Sequence, residues 1–360
     1  MKNDILRPHA ENLFAEELKA LIALDPDPKP QGWVLSPGFV VDYILGTTLQ
    51  DGTVISPKYI GKRRLIEIAV ATLATDRALL LIGLPGTAKT WLSENLAAAI
   101  SGDSTLVVQG TAGIGEEALR YTWNYARLIA EGPGENALVP GPVMTAMKLG
   151  KLVRVEELTR MPSEVQDALI SILSEKSLPI PELGMEVSAV RGFNVIATAN
   201  DRDKGVNELS SALRRRFNTL IMPLPEKLEE EVKIVATGVG SPSIPLKIRE
   251  QAETIKEIQR LVTVFRELRN GNTEDGQIKL KSPTGTLSTA EAISAINSGL
   301  TLATFFGKGK FSTEYLASGM TGAIIKDRLV DLPVWQEYLE TVMREREGWH
   351  DLYEACKKEL

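Results

Sequence analysis

Hydrophobic and polar positions along this chain change period several times, and the changes mark out its elements. A helix beginning at Lys62 carries Leu65, Ile68, Ala69 and Leu73 on one face. The unbroken apolar run Ala78–Ile82 follows, the length and texture of a strand covered on both sides. The pattern turns helical over Trp91–Ile100 and strand-like again over Thr105–Gln109. Three further strand-like runs are Leu152–Val155, Asn194–Ala199 and Thr219–Met222. Between the first two, Pro162 stands near the start of an amphipathic helix with Val165, Leu169, Ile172 and Leu173 on one face. This alternation, from Ser56 to about Glu226, predicts an α/β fold, a mostly parallel sheet with helices on both faces. After Pro225 the pattern is helical throughout: Glu226–Thr237, Pro245–Asn270, Ser288–Phe306, then a pair at roughly Ser312–Asp327 and Pro333–Lys358. Ahead of the core, the breaker cluster Asp25–Pro30 separates a short amphipathic helix, Glu11–Leu24, from a Gly/Pro-bearing stretch. The expected organisation is an extension over 1–56 packed on the main domain, an α/β core over 57–225, an all-helical lid over 226–310 and a helical tail over 311–360.

Bulk composition narrows the class. In 360 residues, 43% hydrophobic and 24% charged content is that of a soluble globular protein of two or three packed units. A net charge of −6 argues against a surface built chiefly to grip nucleic acid. The single cysteine, Cys356, can form no internal disulfide and no cysteine-based zinc site, which suits a reducing compartment. His9 and His350 lie far from every motif. No apolar run has the length of a membrane span, and Met1–Ala10 lacks a signal peptide's apolar block. The expectation is a cytoplasmic protein with no membrane partner.

The chemistry begins at Gly83-Leu84-Pro85-Gly86-Thr87-Ala88-Lys89-Thr90, directly after the Ala78–Ile82 strand and before a helix. Strand, tight glycine-bearing loop, Lys-Thr and helix make a triphosphate cradle. Loop N–H groups and the helix N-terminus wrap the phosphates, Lys89 reaches the β- and γ-phosphates, and the Thr90 hydroxyl meets Mg²⁺. The cofactors expected are therefore ATP and Mg²⁺. Ala88 stands where the general pattern has glycine, and its methyl is expected to be tolerated only at negative φ. The plain alternative is an ordinary glycine turn.

Glu156 and Glu157 end a downstream strand, in the crevice where open α/β sheets bind ligands. Glu156 suits the metal side and Glu157 a catalytic base that orients or deprotonates water. Otherwise the pair is a solvated cap on the next helix. Asn200 ends the next strand and could hold the attacking water, or simply start the turn Asn200–Asp203. Arg214, Arg215 and Arg216 precede the last strand, and a guanidinium there could reach a neighbouring subunit's γ-phosphate or be a solvated face.

In this order the motifs resemble the AAA+ ATPases, and among them the MoxR-type, helix-insert group related to the magnesium-chelatase motor subunit. The matching pieces are GLPGTAKT (83–90), GPVMTAMKLGKLVRVEEL (141–158), MPSEVQDALISILSEK (161–176), FNVIATAN (193–200) and SSALRRRF (210–217). The resemblance implies an AAA+ core with a helical lid. It also implies nucleotide contacts from Gly83, Pro85, Gly86, Thr87, Ala88, Lys89 and Thr90, and metal contacts from Thr90 and Glu156. Glu157 becomes the catalytic acid–base, Asn200 the first sensor and Arg216 the arginine finger. An alanine before the lysine is usual in that group. Thr111–Val143 resembles its helix insertion, and Leu178–Ala189 the hairpin before the sensor strand, both facing a central pore. Two departures stand out. Ser282-Pro283-Thr284-Gly285 has threonine where the group usually has the lid arginine, with Lys279 and Lys281 the nearby cations. Arg154 lies inside a central strand and calls for an acidic partner.

Three functions fit: an ATP-driven homo-oligomeric ring, of six subunits by resemblance, that remodels a protein partner such as one with a von Willebrand factor A domain; a nucleic-acid motor or restriction-type subunit; and a nucleotide-dependent scaffold that hydrolyses little. Pro179–Ser188 contains Glu182 and Glu186 and no Lys, Arg or aromatic residue, which disfavours a strand-tracking hairpin.

Overall fold

The computed structural model describes residues 5–200, 207–239, 252–307 and 309–360. The predicted turn residues 201–203 and residues 245–251 of the predicted helix Pro245–Asn270 lie outside that set. Contacts divide the chain into two compact bodies, one within Met1–Leu84 and Ala88–Met222, the other within Pro223–Leu360 together with Pro85–Thr87.

In chain order the strands are β1 (Thr47–Thr48), β2 (Val54–Ile55), β3 (Ala78–Gly83), β4 (Val107–Gln109), β5 (Tyr121–Trp123), β6 (Leu138–Pro140), β7 (Leu152–Glu156), β8 (Ser177–Ile180), β9 (Met185–Ser188), β10 (Asn194–Asn200) and β11 (Phe217–Ile221). Five of them form the central sheet in the order β11-β3-β10-β7-β4, every neighbouring pair parallel. The fold class is the expected one: an α/β sheet with helices on both faces, followed by an all-helical region. Strand period sorts the side chains. Leu79, Leu81, Leu152 and Ile196 join Leu92, Leu96 and Ile100 of the helix Lys89–Ser101 in one core. Leu80, Val153, Val155, Val195 and Ala197 join Met144, Met147, Leu169 and Ile172 in another. Leu152, Arg154 and Glu156 therefore share the face of β7 that looks at the Lys89–Ser101 helix.

Helices Ala10–Leu13, Ala15–Leu24 and Pro37–Leu45 add Leu18, Leu21, Val40, Tyr43 and Ile44 to the first core. Lys58 is buried there, its ammonium 4.2 Å from the Phe14 ring centroid and 4.5 Å from that of Tyr43, paired with Glu17. Burial pulls its pKa below the usual lysine range against the opposing pull of Glu17. Its carbonyl accepts the Trp91 indole N–H at 2.9 Å. The Thr111–Val143 segment holds β5, the helix Tyr125–Glu131 and β6, with β5 and β6 antiparallel. β8 and β9 pair antiparallel as a hairpin over the segment read as one. The two pieces touch: Tyr121 donates its hydroxyl to Glu182 at 2.7 Å, and Arg120 donates to the Pro179 carbonyl at 3.0 Å.

The second body packs helices Leu228–Gly238, Ala252–Asn270, Thr289–Phe305, Thr313–Ile324, Arg328–Tyr338 and His350–Lys358 around Phe265, Leu300, Trp335 and Tyr338. The helix predicted over Pro333–Lys358 is two helices: the first starts ahead of the proline and runs into a π turn at Leu339–Met343, and the second begins at His350 after a turn over 344–349. Asp327 caps it by accepting the Leu329 N–H at 2.9 Å, so Pro333 sits inside and forfeits one helical bond. Buried Glu231 accepts from Arg266 (3.2 Å), Arg269 (2.8 Å) and the Thr289 hydroxyl (2.9 Å).

Thr284, the position lacking the lid arginine, is committed to packing. Its N–H and hydroxyl donate to the fully buried Asp331 at 2.7 and 2.9 Å, and the same carboxylate takes the N–H groups of Lys326 and Asp327, each at 2.8 Å. Lys281 is paired with Glu337 at 2.8 Å. Burial raises the Asp331 pKa, but the backbone donors of Asp327, Thr284 and Lys326 outweigh it and hold the carboxyl below the usual range. A depressed carboxyl contributes stability above its unfolded pKa and loses it as pH falls through its folded value. Asp331→Ala is expected to cost about 3 kcal/mol or more by stranding these donors. The acid limb of the wild-type stability profile, below about pH 4, should be shallower in the variant. Urea melts across pH test both.

Candidate nucleotide site

The site grows from the C-terminal ends of β3, β7 and β10 and from the helix Lys89–Ser101. Asn200, the last residue of β10, is the register partner of Gly83, the last of β3. From Gly83 the chain turns through Leu84, Pro85, Gly86 and Thr87, with Gly86 at φ +78°. Ala88 caps the helix at φ +61°, ψ +22°. This corrects the expectation of negative φ: the alanine takes the left-handed conformation that glycine usually supplies, a strained state for a residue with a Cβ. The strain persists because the first helical turn fixes it, the Leu92 N–H donating to the Ala88 carbonyl at 2.8 Å. Lys89 is 8% exposed and its ammonium donates to the carbonyls of Gly83 (2.9 Å) and Leu84 (2.8 Å), so the cation is held under the loop.

Glu156 is 2% exposed and lies opposite the first two turns of that helix. Its Oε2 accepts the Thr90 hydroxyl at 3.0 Å and the Thr198 hydroxyl at 2.7 Å. Its Oε1 accepts from Ser93 at 2.5 Å and from Arg154 at 3.0 and 3.2 Å. The acidic partner that Arg154 calls for is thus Glu156, two residues on along the same strand face. Glu157 follows in the left-handed region at φ +52°, an outlier for a residue with a long side chain. Its N–H donates to Thr198 Oγ1 at 3.0 Å and its carboxylate accepts Arg160 at 2.9 Å, in an exposed pair worth little. The kink has a steric counterpart in Gly110, whose N–H donates to the Glu156 carbonyl at 2.7 Å. A Cβ there would lie 2.3 Å from the Glu157 carbonyl oxygen.

Sequence reading missed Ser93 and Thr198. Each carried a signal: Ser93 lies one helical turn beyond Thr90, and Thr198 lies on the strand face of Asn200, two residues earlier. Arg216 is half-buried at the end of the short helix Ser211–Arg214, donating to Ser174 Oγ at 2.7 Å and the Ala212 carbonyl at 2.6 Å; Arg214 and Arg215 are exposed. Neither Arg216 bond is to Lys89, Thr90, Glu156, Glu157 or Asn200.

Two family profiles match the chain: an AAA domain of the dynein-related subfamily over residues 78–217, and a YehL-like AAA+ ATPase C-terminal domain over 249–358. The chain is 40% identical to YehL of Escherichia coli K12, described only as uncharacterized, over 98% of this chain and 97% of that one. The chain belongs to the YehL-like AAA+ ATPases. As a family, AAA+ proteins bind nucleotide, hydrolyse ATP and typically form oligomers, and this YehL-like chain carries the parallel sheet and helical C-terminal region of that fold. An uncharacterized protein of Staphylococcus aureus USA300 is 31% identical over 41% of the chain and 56% of its own length. Among solved structures, NtrX from Brucella abortus in complex with ATP aligns at 12% identity, covering 84% of this chain and 68% of that one, with a TM-score of 0.46. No helix among the described residues of this YehL-like protein is long and apolar enough to cross a membrane.

Proposed function

We propose that this chain is an ATP·Mg²⁺-dependent motor of the MoxR type, working as a homo-oligomeric ring of six subunits that remodels a protein partner, with von Willebrand factor A domain proteins as the partner class. The observation that carries the reading is the hydroxyl–carboxylate contact between Thr90 and Glu156, beside a lysine held under the loop. The donor set is all oxygen and suits a hard cation such as Mg²⁺, which Thr90 and Glu156 would hold and which would neutralise charge on the triphosphate. In this reading Gly83, Pro85, Gly86, Thr87 and Ala88 present the loop to the phosphates, and Lys89 binds the β- and γ-phosphates. Glu157 accepts the proton of the attacking water and Asn200 orients that water. Arg216 reaches the γ-phosphate of a neighbouring copy, and Glu157→Gln, which keeps the shape and removes the base, should trap the ATP-bound ring for partner capture.

A protein partner fits the surface chemistry better than a nucleic acid does. The hairpin tip exposes Glu182, Met185 and Glu186, and the insertion helix exposes Ile129. None of these attracts phosphate, and the net charge is −6. The test compares stimulation of ATP hydrolysis by DNA, RNA and candidate proteins at low salt, where electrostatic binding is strongest. Stimulation by protein alone is the expected result; steeply salt-dependent stimulation by nucleic acid would replace this reading with that of a nucleic-acid motor or restriction-type subunit.

A further inference from the structure

Arg154 occupies a central-strand position that normally carries an apolar side chain, and it is 5% exposed. Its Nε and Nη2 both donate to Glu156 Oε1, and its Nη1 donates to the Ser104 carbonyl at 2.9 Å. With the hydroxyls of Thr90, Ser93 and Thr198, five donors lie within hydrogen-bond reach of one carboxylate, two of them shared: Ser93 also reaches the Thr90 carbonyl at 2.9 Å, and Arg154 Nε also reaches Ser93 Oγ at 3.2 Å. An ionised carboxylate offers about four lone-pair sites, so the protein's own donors fill those of Glu156 here, and a metal ion held by Glu156 would take the place of a hydroxyl that now donates to it. Its charge is also matched by a cation buried with it. Thr90, by contrast, gives its one hydroxyl hydrogen to Glu156 and keeps its oxygen lone pairs as acceptors.

We propose that Arg154 is a positioning residue acting as the permanent counter-ion of Glu156, so that this chain binds its nucleotide with little dependence on divalent metal. The proposal rests on the reading of the site as an ATP site. In a phosphate site with an unpaired acid, the bare carboxylate repels the triphosphate until a metal ion neutralises both. Here the neutralising charge is built into β7, so removing the metal leaves no uncompensated acid facing the phosphates. One unit charge at contact range in a partly buried site is worth on the order of tenfold or more in affinity. A purely architectural ion pair, fastening β7 to the Ser104 turn, would leave metal dependence untouched.

The test is calorimetric titration of the full chain with ATP, once with Mg²⁺ and once with excess EDTA. The wild-type affinities are expected to agree within about tenfold. Arg154→Met should widen the gap by about tenfold or more, because Glu156 becomes an unpaired anion. The double variant Arg154→Met/Glu156→Gln, which removes both charges together, should restore the narrow gap. A wild-type gap of about a hundredfold or more, or an unchanged gap in folded Arg154→Met, would overturn the proposal. Should Arg154→Met fail to fold, the wild-type comparison decides alone. Absence of ATP binding in both buffers would instead defeat the nucleotide reading on which the proposal stands.

Discussion

Lys89→Ala should weaken ATP binding by about a thousandfold, to the point where calorimetry at ordinary protein concentrations detects none. A unit charge about 4 Å from a phosphate at an effective dielectric near 20 is worth about 4 kcal/mol, and each 1.36 kcal/mol is tenfold. The lysine is well placed to deliver that full value. Its ammonium is already desolvated and held at 2.9 and 2.8 Å from the Gly83 and Leu84 carbonyls, so little side-chain freedom remains to be lost when phosphate arrives. The variant should keep the wild-type melting profile closely enough to show that the fold survives. Unchanged ATP affinity in a folded Lys89→Ala protein would sink the phosphate-cradle reading.

Arg216→Ala should lower the rate of hydrolysis by about a thousandfold while leaving ATP affinity as it was, since a finger acts on the transition state of a neighbour's nucleotide. Its two anchors, Ser174 and the Ala212 carbonyl, hold the guanidinium at the surface beside the last strand, so it is pre-oriented and still reachable. In wild type the rate per chain should climb with protein concentration as subunits assemble. A demonstrated monomer turning over at a concentration-independent rate would rule the trans role out. If Arg216→Ala proves silent, Arg214 and Arg215, both exposed, are the next positions to change.

What could be read from the residues alone followed from period. Runs such as Ala78–Ile82 and Asn194–Ala199 have few alternatives to buried parallel strands, and the five-stranded sheet contains each of them. Period also put Glu156 and Glu157 at a strand end. It gave no hint of what they bond, because Ser93 reaches Glu156 through helix-to-sheet packing across 63 residues of chain, and Thr198 through the pairing of β10 with β7 across 42. The Arg154–Glu156 pair was in principle readable, since residues two apart on a strand share a face. The apolar expectation for central strands singled out Arg154 and its need of an acid, but Glu156 was read only for its place at the strand end. Ala88 shows a different gap: intrinsic preference argued for negative φ, and the geometry of the turn into the helix overrode it. The C-terminal helices were visible as helices but not their breaks, because a proline marks a helix start only when no stronger cap precedes it, and Asp327 does.

The contacts made by the first helices bear on how this protein can be taken apart. The family profile spans 78–217, which invites excision of that stretch as a minimal catalytic fragment. The folding unit is larger. Phe14 packs edge-on against Trp91 at 6.0 Å, Arg7 pairs with the buried Glu94, and the Tyr43 hydroxyl donates to Asn95, all on the helix that starts at Lys89, while Glu11 accepts the Ser104 hydroxyl just beyond its end. A fragment beginning near residue 78 would leave Leu96 and Ile100 without their cover of Leu21, Val40 and Ile44, and Glu94 and Asn95 facing solvent beside them. The helix that presents Lys89 and Thr90 would then be an outer wall with a greasy exterior, prone to self-association before it could bind anything. For this chain the catalytic motif and the smallest excisable piece have different borders, and the second begins on the N-terminal side of Glu11.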